Sequence, residues 1–321
     1  MKKKISIVIP TFNEEENVLP MSEAIVSIMK KELPKYAYEL IFIDNCSTDN
    51  TQQKLREICA DNKNVKAIFN ARNFGQNNSP IHGLCQSTGD CTIGMACDFQ
   101  DPVDMIPKYV KEWENGYKIV VGIKKSSTEN KIMYGLRSCY YKLLHKLSEV
   151  EIIEHFTGAG LYDKTFIEVL KNLNDSTPFL RGIVAELGYK IKTIPYEQPK
   201  RRAGKTHNNF FSLYDIAMLS ITSYTKTGLR FATFLGMLCA VCSFFMGLLY
   251  FFLKIFNWNN FQAGIAPLMI GVFLIGSVQL LFIGILGEYV MNINQRVMHR
   301  PLVIEEERIN FDTIREEETN E

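Results

Sequence analysis

No Gly-x-Gly-x-x-Gly turn follows the first apolar run of this chain, which continues instead as Pro10-Thr11-Phe12-Asn13-Glu14-Glu15. Without those glycines the backbone cannot close on a pyrophosphate in the dinucleotide-binding manner, so a nicotinamide or flavin dinucleotide site of that kind is excluded. An apolar leader is also missing: Met1-Lys2-Lys3-Lys4 runs straight into a strand-like stretch, and no secretory signal is expected. The eight cysteines (46, 59, 85, 91, 97, 139, 239 and 242) show no zinc spacing with histidine partners, which leaves reduced structural thiols as their expected state. Nor is there an excess of either charge. With 36 Lys and Arg against 35 Asp and Glu, the net charge of +1 gives no reason to expect nucleic acid as a partner. Internal repeats and low-complexity blocks are absent as well.

What is present is a rhythm. Short apolar, β-branched runs at Ile5–Ile9, Glu39–Ile43, Val65–Phe69, Cys91–Ala96 and Ile119–Val121 alternate with helical patterns near Asn17–Lys31, Asp49–Ala60, Gln76–Ser87 and Ile106–Asn115. Such alternation predicts an α/β fold, a mostly parallel sheet with helices on both faces. Beyond about residue 125 the pattern turns helical (Lys131–Leu147, Lys164–Leu173, Pro178–Leu187), with one further strand at Lys190–Pro195.

Long apolar runs come last. Leu229–Leu253 carries only Arg230 as a charge and Ala263–Gly287 carries none, so each could form a helix of roughly 37 Å, enough to span a bilayer. Lys226 and Arg230 precede the first run, while Arg296, His299 and Arg300 follow the second. The positive-inside rule then puts both termini in the cytoplasm, as a multi-pass protein of the cell's inner (plasma) membrane. Phe210, Leu213, Tyr214, Ala217, Ile221 and Tyr224 recur at helical spacing just before the first run, which suits a helix in the membrane interface or one packed on the preceding domain. The expected organisation is a cytoplasmic domain (1–208), an interfacial helix (209–227), two transmembrane helices (228–290) and a cytoplasmic tail (291–321), whose acidic stretch from Glu305 reads as a solvated end. Glycines in the spans permit the close helix contacts that a homo-oligomer would use.

Chemistry gathers at the ends of the expected strands. Asp98-Phe99-Gln100-Asp101 follows the apolar run Cys91–Cys97, where an open α/β sheet binds its ligand. Two acids three positions apart with an amide between them suit a hard divalent cation that also holds phosphates; a pair of solvated loop acids before Pro102 is the plainer alternative. The second strand ends in Asp44-Asn45-Cys46-Ser47-Thr48-Asp49, with Asp44 at its tip and Asp49 placed to cap the next helix. Asp44, Asp98 and Asp101 would therefore converge on one sheet edge.

The segments Ile7–Asn17, Ile43–Asp49, Arg72-Asn73-Phe74-Gly75-Gln76 and Asp98–Pro102 together resemble the successive signatures of family 2 glycosyltransferases of the GT-A fold. Phe179-Leu180-Arg181-Gly182, Arg201-Arg202-Ala203-Gly204-Lys205-Thr206 and Gly287-Glu288-Tyr289 further resemble the bacterial polyprenyl-phosphate glycosyltransferases, in collinear order from Ile5 to about Val303. That resemblance implies a Rossmann-like GT-A domain followed by an interfacial helix and two transmembrane helices. It implies inverting transfer of one sugar from a nucleotide-diphosphate sugar, with uridine the expected base and guanosine the alternative, to polyprenyl (undecaprenyl) phosphate. It places Pro10, Thr11, Glu14, Asp44, Arg72, Gln76, Asp98 and Gln100 around the nucleotide sugar. Asp98, Gln100 and Asp101 would hold Mg²⁺ or Mn²⁺, with Asp98 and Asp101 as the catalytic pair. Arg181, Arg201, Arg202 and Lys205 would take the lipid phosphate, although the last three would equally serve general attraction to anionic headgroups.

One departure from the family pattern stands out. Where an acid usually precedes the Leu-x-Asp-Arg segment, this chain has Gly158 in Thr157-Gly158-Ala159-Gly160-Leu161-Tyr162-Asp163-Lys164. A positioned base gives about 10²–10⁴-fold to an alcohol acceptor, but a phosphate acceptor is largely ionised already, with a second pKa of about 6. Activity is therefore expected to survive, with Asp163 as a candidate substitute acid. Two other readings compete: a polysaccharide-extending enzyme, for which the Gln-x-x-Arg-Trp motif is missing, and a non-catalytic nucleotide-sugar-binding membrane scaffold, against which the clustered, mutually repelling acids argue.

Overall fold

The computed structural model describes residues 2–124, 153, 156–173, 175–199, 201–203, 218–219, 223, 227–256, 265–298 and 300–311. Its centre is an eight-stranded sheet of β1 (Lys4–Thr11), β2 (Ala37–Asp44), β3 (Val65–Asn70), β4 (Cys91–Gly94), β5 (Ile119–Lys124), β6 (Phe156–Asp163), β7 (Ile191–Tyr196) and β8 (Glu305–Ile309). The order across the sheet is β7-β5-β6-β4-β1-β2-β3-β8. Pairing is parallel between β1 and β2, β1 and β4, β2 and β3, and β5 and β7, while β6 and β8 run antiparallel to their neighbours.

Alternation along the strands divides the core. Ile5, Ile7 and Ile9 point to one face, where α1 (Val18–Lys31), α2 (Thr51–Asp61) and α4 (Met105–Glu114) cover them; Val8, Ile41, Ile43 and Ile68 point to the other, under α3 (Gly75–Cys85), α5 (Lys164–Asn172) and α6 (Leu180–Glu186). Gly83 lets α3 lie close to the sheet, since a Cβ there would meet Val8 Cγ1 at 2.8 Å and Ile43 Cγ2 at 3.0 Å.

At the amino-terminal edge, Glu39 is buried and accepts from Ser6 Oγ (2.6 Å), Lys66 Nζ (2.8 Å) and the Thr88 amide (2.8 Å). Burial alone would raise its carboxyl, yet Lys66, Ser6 and Thr88 hold it down at about 2. Near the same edge, Asp163 closes β6 by accepting from Trp113 Nε1 (2.7 Å), Lys118 Nζ (2.9 Å) and the Thr165 amide (3.0 Å), the last bond capping α5. It lies at the opposite end of β6 from Gly158, which removes it as a substitute acid in the place where the family pattern has one.

Two expectations change, and a third is met in part. β6 was not legible, because its sequence Phe-Thr-Gly-Ala-Gly-Leu-Tyr-Asp has two glycines and only the end of an apolar pattern. The acidic stretch from Glu305 is not a free solvated end: Glu305–Ile309 adds to the sheet as β8, antiparallel to β3. Its charged Glu-Glu-Glu-Arg-Ile, with the middle three residues exposed, suits an edge strand, where charges remain in water. The third concerns the long helices, α7 (Thr227–Phe256) and α8 (Ile265–Val297). Among the described residues one stretch, Leu274–Val297 of α8, is long and apolar enough to cross a membrane, and the described apolar part of α7 is the shorter Thr233–Met246. Both helices expose large apolar side chains, Phe244, Phe245, Leu280 and Leu281 among them. The expected Lys131–Leu147 helix, Lys205 and nearly all of the expected interfacial helix lie outside the described residues.

Candidate active site at the carboxyl edge of the sheet

Strands on the two sides of β1 leave in opposite directions from the chain's first crossover, with β2 and β3 on one side and β4 on the other. A crevice opens at such a switch point, outside the carboxyl ends of the strands. Two structures fill it: laced loops after β1 and β2, and a cavity between β1, β4, α3, β6 and α6.

The loops bind each other tightly. Asn13 N–H donates to Ser47 Oγ (2.8 Å), Thr48 N–H to Asn13 Oδ1 (2.8 Å), Glu14 N–H to Thr51 Oγ1 (2.9 Å) and Glu15 N–H to Asp49 Oδ2 (3.2 Å). Asp49 sits one position outside the expected cap but still accepts from the Thr51 amide at the helix start (3.0 Å). Asp44 is wholly buried at the β2 tip, where the amide and hydroxyl of Ser47, Gln52 Nε2 (2.9 Å) and Thr11 Oγ1 (3.4 Å) engage its carboxylate. Asn13 and Cys46, each two residues past a strand end, and Phe99, in the loop after β4, have φ of 56°, 63° and 61°. Left-handed non-glycine residues are uncommon and collect at functional loops.

The acidic loop after β4 lies beside them. Asp98 is buried; its Oδ1 accepts from the Gln100 amide (3.1 Å) and its Oδ2 pairs with Arg201 at 2.8 Å. Arg202 continues the cover, donating its amide to the Asp98 carbonyl (3.3 Å) and stacking its guanidinium over Phe99 at 5.2 Å. Asp101, also buried, accepts from the Ala96 amide (3.0 Å) and from the Tyr196 hydroxyl (2.7 Å). Burial pushes its carboxyl up, with Asp98 adding repulsion, while the two donors pull it back. Tyr196 is pushed up by burial and by Asp101, so it stays a donor.

Next to Asp101 opens a cavity of about 270 Å³. Val8, Pro10, Ile81, Leu84, Met95 and Phe179 give it apolar walls, and Gln76, Asn77, Gln100, Lys124, Thr157, Arg181 and Gln198 bring polar groups to it. Of the sequence-selected residues it gathers Pro10, Gln76, Gln100, Asp101 and Arg181; Thr11, Glu14, Asp44, Asp98, Arg201 and Arg202 stand outside its lining. Arg72 is exposed and stacks on Phe74 at 4.0 Å. Residues missed in the sequence are Tyr196 and Lys124, the last residues of β7 and β5, with Asn77, Thr157 and Gln198. Tyr196 and Lys124 close strands, Asn77 lies on α3, and none of the five carries a local sequence signal that marks it.

Gly158 lines the cavity at φ 102°, and a Cβ there would meet nothing closer than Leu180 Cδ2 at 3.9 Å. Space for a side chain exists, but this backbone conformation disfavours one.

As a cation site, the acidic loop offers two carboxylates and an amide. Among the described residues no group of three His, Cys, Asp or Glu side chains could enclose a metal. Oxygen donors of this type suit a hard divalent cation that takes its remaining ligands from phosphates and water. The Arg201 guanidinium on Asp98 already marks that carboxylate as a place for positive charge.

Comparison with a family model and with known sequences gives a consistent result. The family model of Glycosyl transferase family 2 matches residues 6–172. The bactoprenol glucosyl transferase of Shigella phage SfV is 30% identical over 302 residues, covering 94% of this chain and 97% of that protein. A prophage bactoprenol glucosyl transferase homolog of Escherichia coli (strain K12) is likewise 30% identical, covering 94% and 98%. Among solved structures, glucosyl-3-phosphoglycerate synthase from Mycobacterium tuberculosis in complex with Mg²⁺ and uridine diphosphate aligns with a TM-score of 0.46 and 17% identity, over 68% of this chain and 77% of that one.

Proposed function

The chain belongs to glycosyl transferase family 2, and from that premise we propose that it transfers one sugar from a nucleotide-diphosphate sugar, with uridine as the base, to a polyprenyl phosphate at the cytoplasmic membrane face. The observation that carries this reading is the gathering of opposite charges at one cavity. Gln100 and Asp101 of the acidic loop line it together with Lys124 and Arg181. A donor diphosphate on the acidic loop and an anionic acceptor at the basic wall would meet there. Bactoprenol, in the names of the similar proteins, supports a lipid acceptor, and the apolar stretch Leu274–Val297 supports a membrane setting.

In this scheme the loops after β1 and β2 hold the nucleotide through Pro10, Thr11, Glu14 and Asp44, with Arg72 and Gln76 at its edge. Asp98, Gln100 and Asp101 would hold Mg²⁺ or Mn²⁺, which offsets charge on the departing diphosphate. Arg181 and Lys124 orient the acceptor phosphate, with Arg201 and Arg202 covering the acidic loop beside it. An acceptor oxygen attacks the anomeric carbon opposite the leaving group, which inverts configuration in one displacement. No side chain is needed at Gly158 to take a proton, because a phosphate with a second pKa of about 6 arrives ionised. Proximity and charge supply the rate instead.

The test is transfer from a panel of labelled nucleotide sugars to undecaprenyl phosphate in membranes containing the protein, with Mg²⁺ or Mn²⁺ against a chelator, beside Asp101→Asn. Metal-dependent label in the lipid phase that is lost in the variant is the expected result. Nucleotide-sugar binding with no lipid product across the panel would favour the non-catalytic alternative instead.

A further inference from the structure

We infer that the C-terminal strand β8 and the adjoining end of α8 hold the two walls of the cavity, and that Glu305, acting through His82, is a positioning residue for recognition of the donor's sugar. This rests on the proposed function, in which the cavity receives that sugar.

The α3 wall needs outside support. Its sequence, Gly-Gln-Asn-Asn-Ser-Pro-Ile-His-Gly-Leu-Cys, is poor in helix formers, it has no side-chain cap at its start, and Pro80 removes a donor from its interior. An 11-residue helix of this composition is held by packing and contacts, not by propensity. On its sheet side Gly83 seats it against Val8 and Ile43. At its far end the support comes from β8: Glu305 hydrogen-bonds His82 Nε2, and Arg308 donates to Gln86 Oε1 (2.9 Å) while also pairing with Glu305 (2.7 Å). Glu305 and Arg308 thus grip α3 at two points one turn apart. Burial would raise the Glu305 carboxyl, but His82 and Arg308 overcome it and hold it low and ionised.

β8 is itself well anchored. Ala71 N–H donates to the Ile304 carbonyl (3.0 Å), Asn310 Nδ2 reaches the carbonyls of Cys59 and Val65 (2.7 Å each), and Arg56 pairs with Glu307 at 2.6 Å. The same stretch of chain reaches the second wall. Arg296, in the last turn of α8, pairs with Asp175 at 3.4 Å, and its carbonyl accepts from Ser176 Oγ at 3.5 Å. Asp175 and Ser176 lie just before Phe179, Leu180 and Arg181, which line the cavity opposite α3. Only residues 298–304 separate α8 from β8, and an extended link of that length reaches at most about 25 Å. Bonds from this stretch thus reach both walls, whereas on the nucleotide side they reach α2, through Arg56 and Cys59, and not the loops after β1 and β2 themselves.

The experiment uses the full chain in lipid nanodiscs, with hydrogen exchange across residues 75–85 and competition binding of UDP against UDP-sugars, for the wild type, Glu305→Gln and Asp175→Asn. Glu305→Gln should speed exchange in α3 about tenfold. UDP affinity should stay within about twofold while UDP-sugar affinity falls about fivefold. Asp175→Asn should weaken UDP-sugars in the same selective way without speeding α3, which keeps the test open if Glu305→Gln folds poorly. Unchanged exchange in α3, faster exchange with unchanged sugar affinity, or parallel loss of UDP and UDP-sugars would each overturn the inference. A wild-type protein that binds UDP but gains nothing from any attached sugar overturns the donor role. Sugar-selective binding without transfer overturns only the proposed catalysis.

Discussion

The two halves of the carboxyl edge are built differently. After β1 and β2, neighbouring loops satisfy each other: Asp44, Asp49 and Glu15 all accept from backbone or side-chain donors within that pair of loops. Across β1, the cavity is assembled from β4, β5, β6, α3 and α6, segments far apart in sequence, and its buried carboxylate Asp101 depends on Tyr196, 95 residues away. The first half is rigid and local, as a surface for a common nucleotide can be. The second is a convergence of distant parts, and that is where a sugar and an acceptor could be distinguished.

The largest effect expected from breaking this contrast is at Asp101. Asparagine keeps its shape but cannot carry the charge, so transfer should fall by about 10²–10³-fold while the protein stays folded. Near wild-type transfer in membranes containing Asp101→Asn would remove the cavity side from the reaction.

The same contrast explains what was legible in the sequence. Asp44, Asp49, Asp98 and Asp101 could be selected because each sits at or shortly past the end of a short apolar run. The mostly parallel sheet with helices on both faces followed from the α/β rhythm. Tyr196 and Lys124 were not selected, because nothing local distinguishes a tyrosine or lysine at the end of a strand until the sheet places it beside Asp101 or the cavity. β6 was hidden by Gly158 and Gly160, and β8 by its three glutamates, which read as solvent-facing when the partners of Glu305 and Glu307, His82 and Arg56, lie more than 200 residues away. Arg201 was assigned to a lipid phosphate, and its pairing with Asp98 could be seen only once the chain had returned over the acidic loop.

Second in size is the foundation of the cavity wall. Asp163 anchors the end of β6 to Trp113, Lys118 and α5, and Glu39 ties β2 to β1 and β3. Burial would raise both carboxyls, but their donors hold each near 2. A depressed folded-state value means that the ionised group stabilises the fold above its unfolded value of about 4, and that this contribution is lost as pH falls from there towards 2. Asp163→Ala and Glu39→Gln should each cost about 3 kcal/mol in denaturant unfolding at neutral pH. The wild type's stability should decline over that acid window, with a smaller decline in either variant. Parallel acid curves for variant and wild type would show that other carboxylates govern it.

Tyr196→Phe should act more gently, because it deletes one hydrogen bond to Asp101 and leaves the Ala96 amide in place. A bond to a charged acceptor is worth about 1.5 kcal/mol, or roughly tenfold in transfer. With that donor gone, burial pushes the Asp101 carboxyl higher still. The acid limb of the pH–rate profile should therefore move to higher pH, and a tenfold loss with an unmoved limb would mean that Tyr196 serves only to pack β7.

Gly158 gives the smallest effect and sharpens the contrast most. Its φ of 102° is open to glycine and costly for other residues, while the atom nearest to an added methyl group would be 3.9 Å away. Gly158→Ala should therefore lose about 1 kcal/mol of stability through backbone strain alone, with sugar transfer nearly unchanged. Gly158→Asp carries the same strain and sets a carboxylate at the cavity facing Asp101, where repulsion opposes any gain as a base. If Gly158→Asp nevertheless transferred faster than Gly158→Ala to the same lipid phosphate, proton removal would limit the reaction. The lipid phosphate would then be held in its monoprotonated form in the site, and the scheme would need a base beside it.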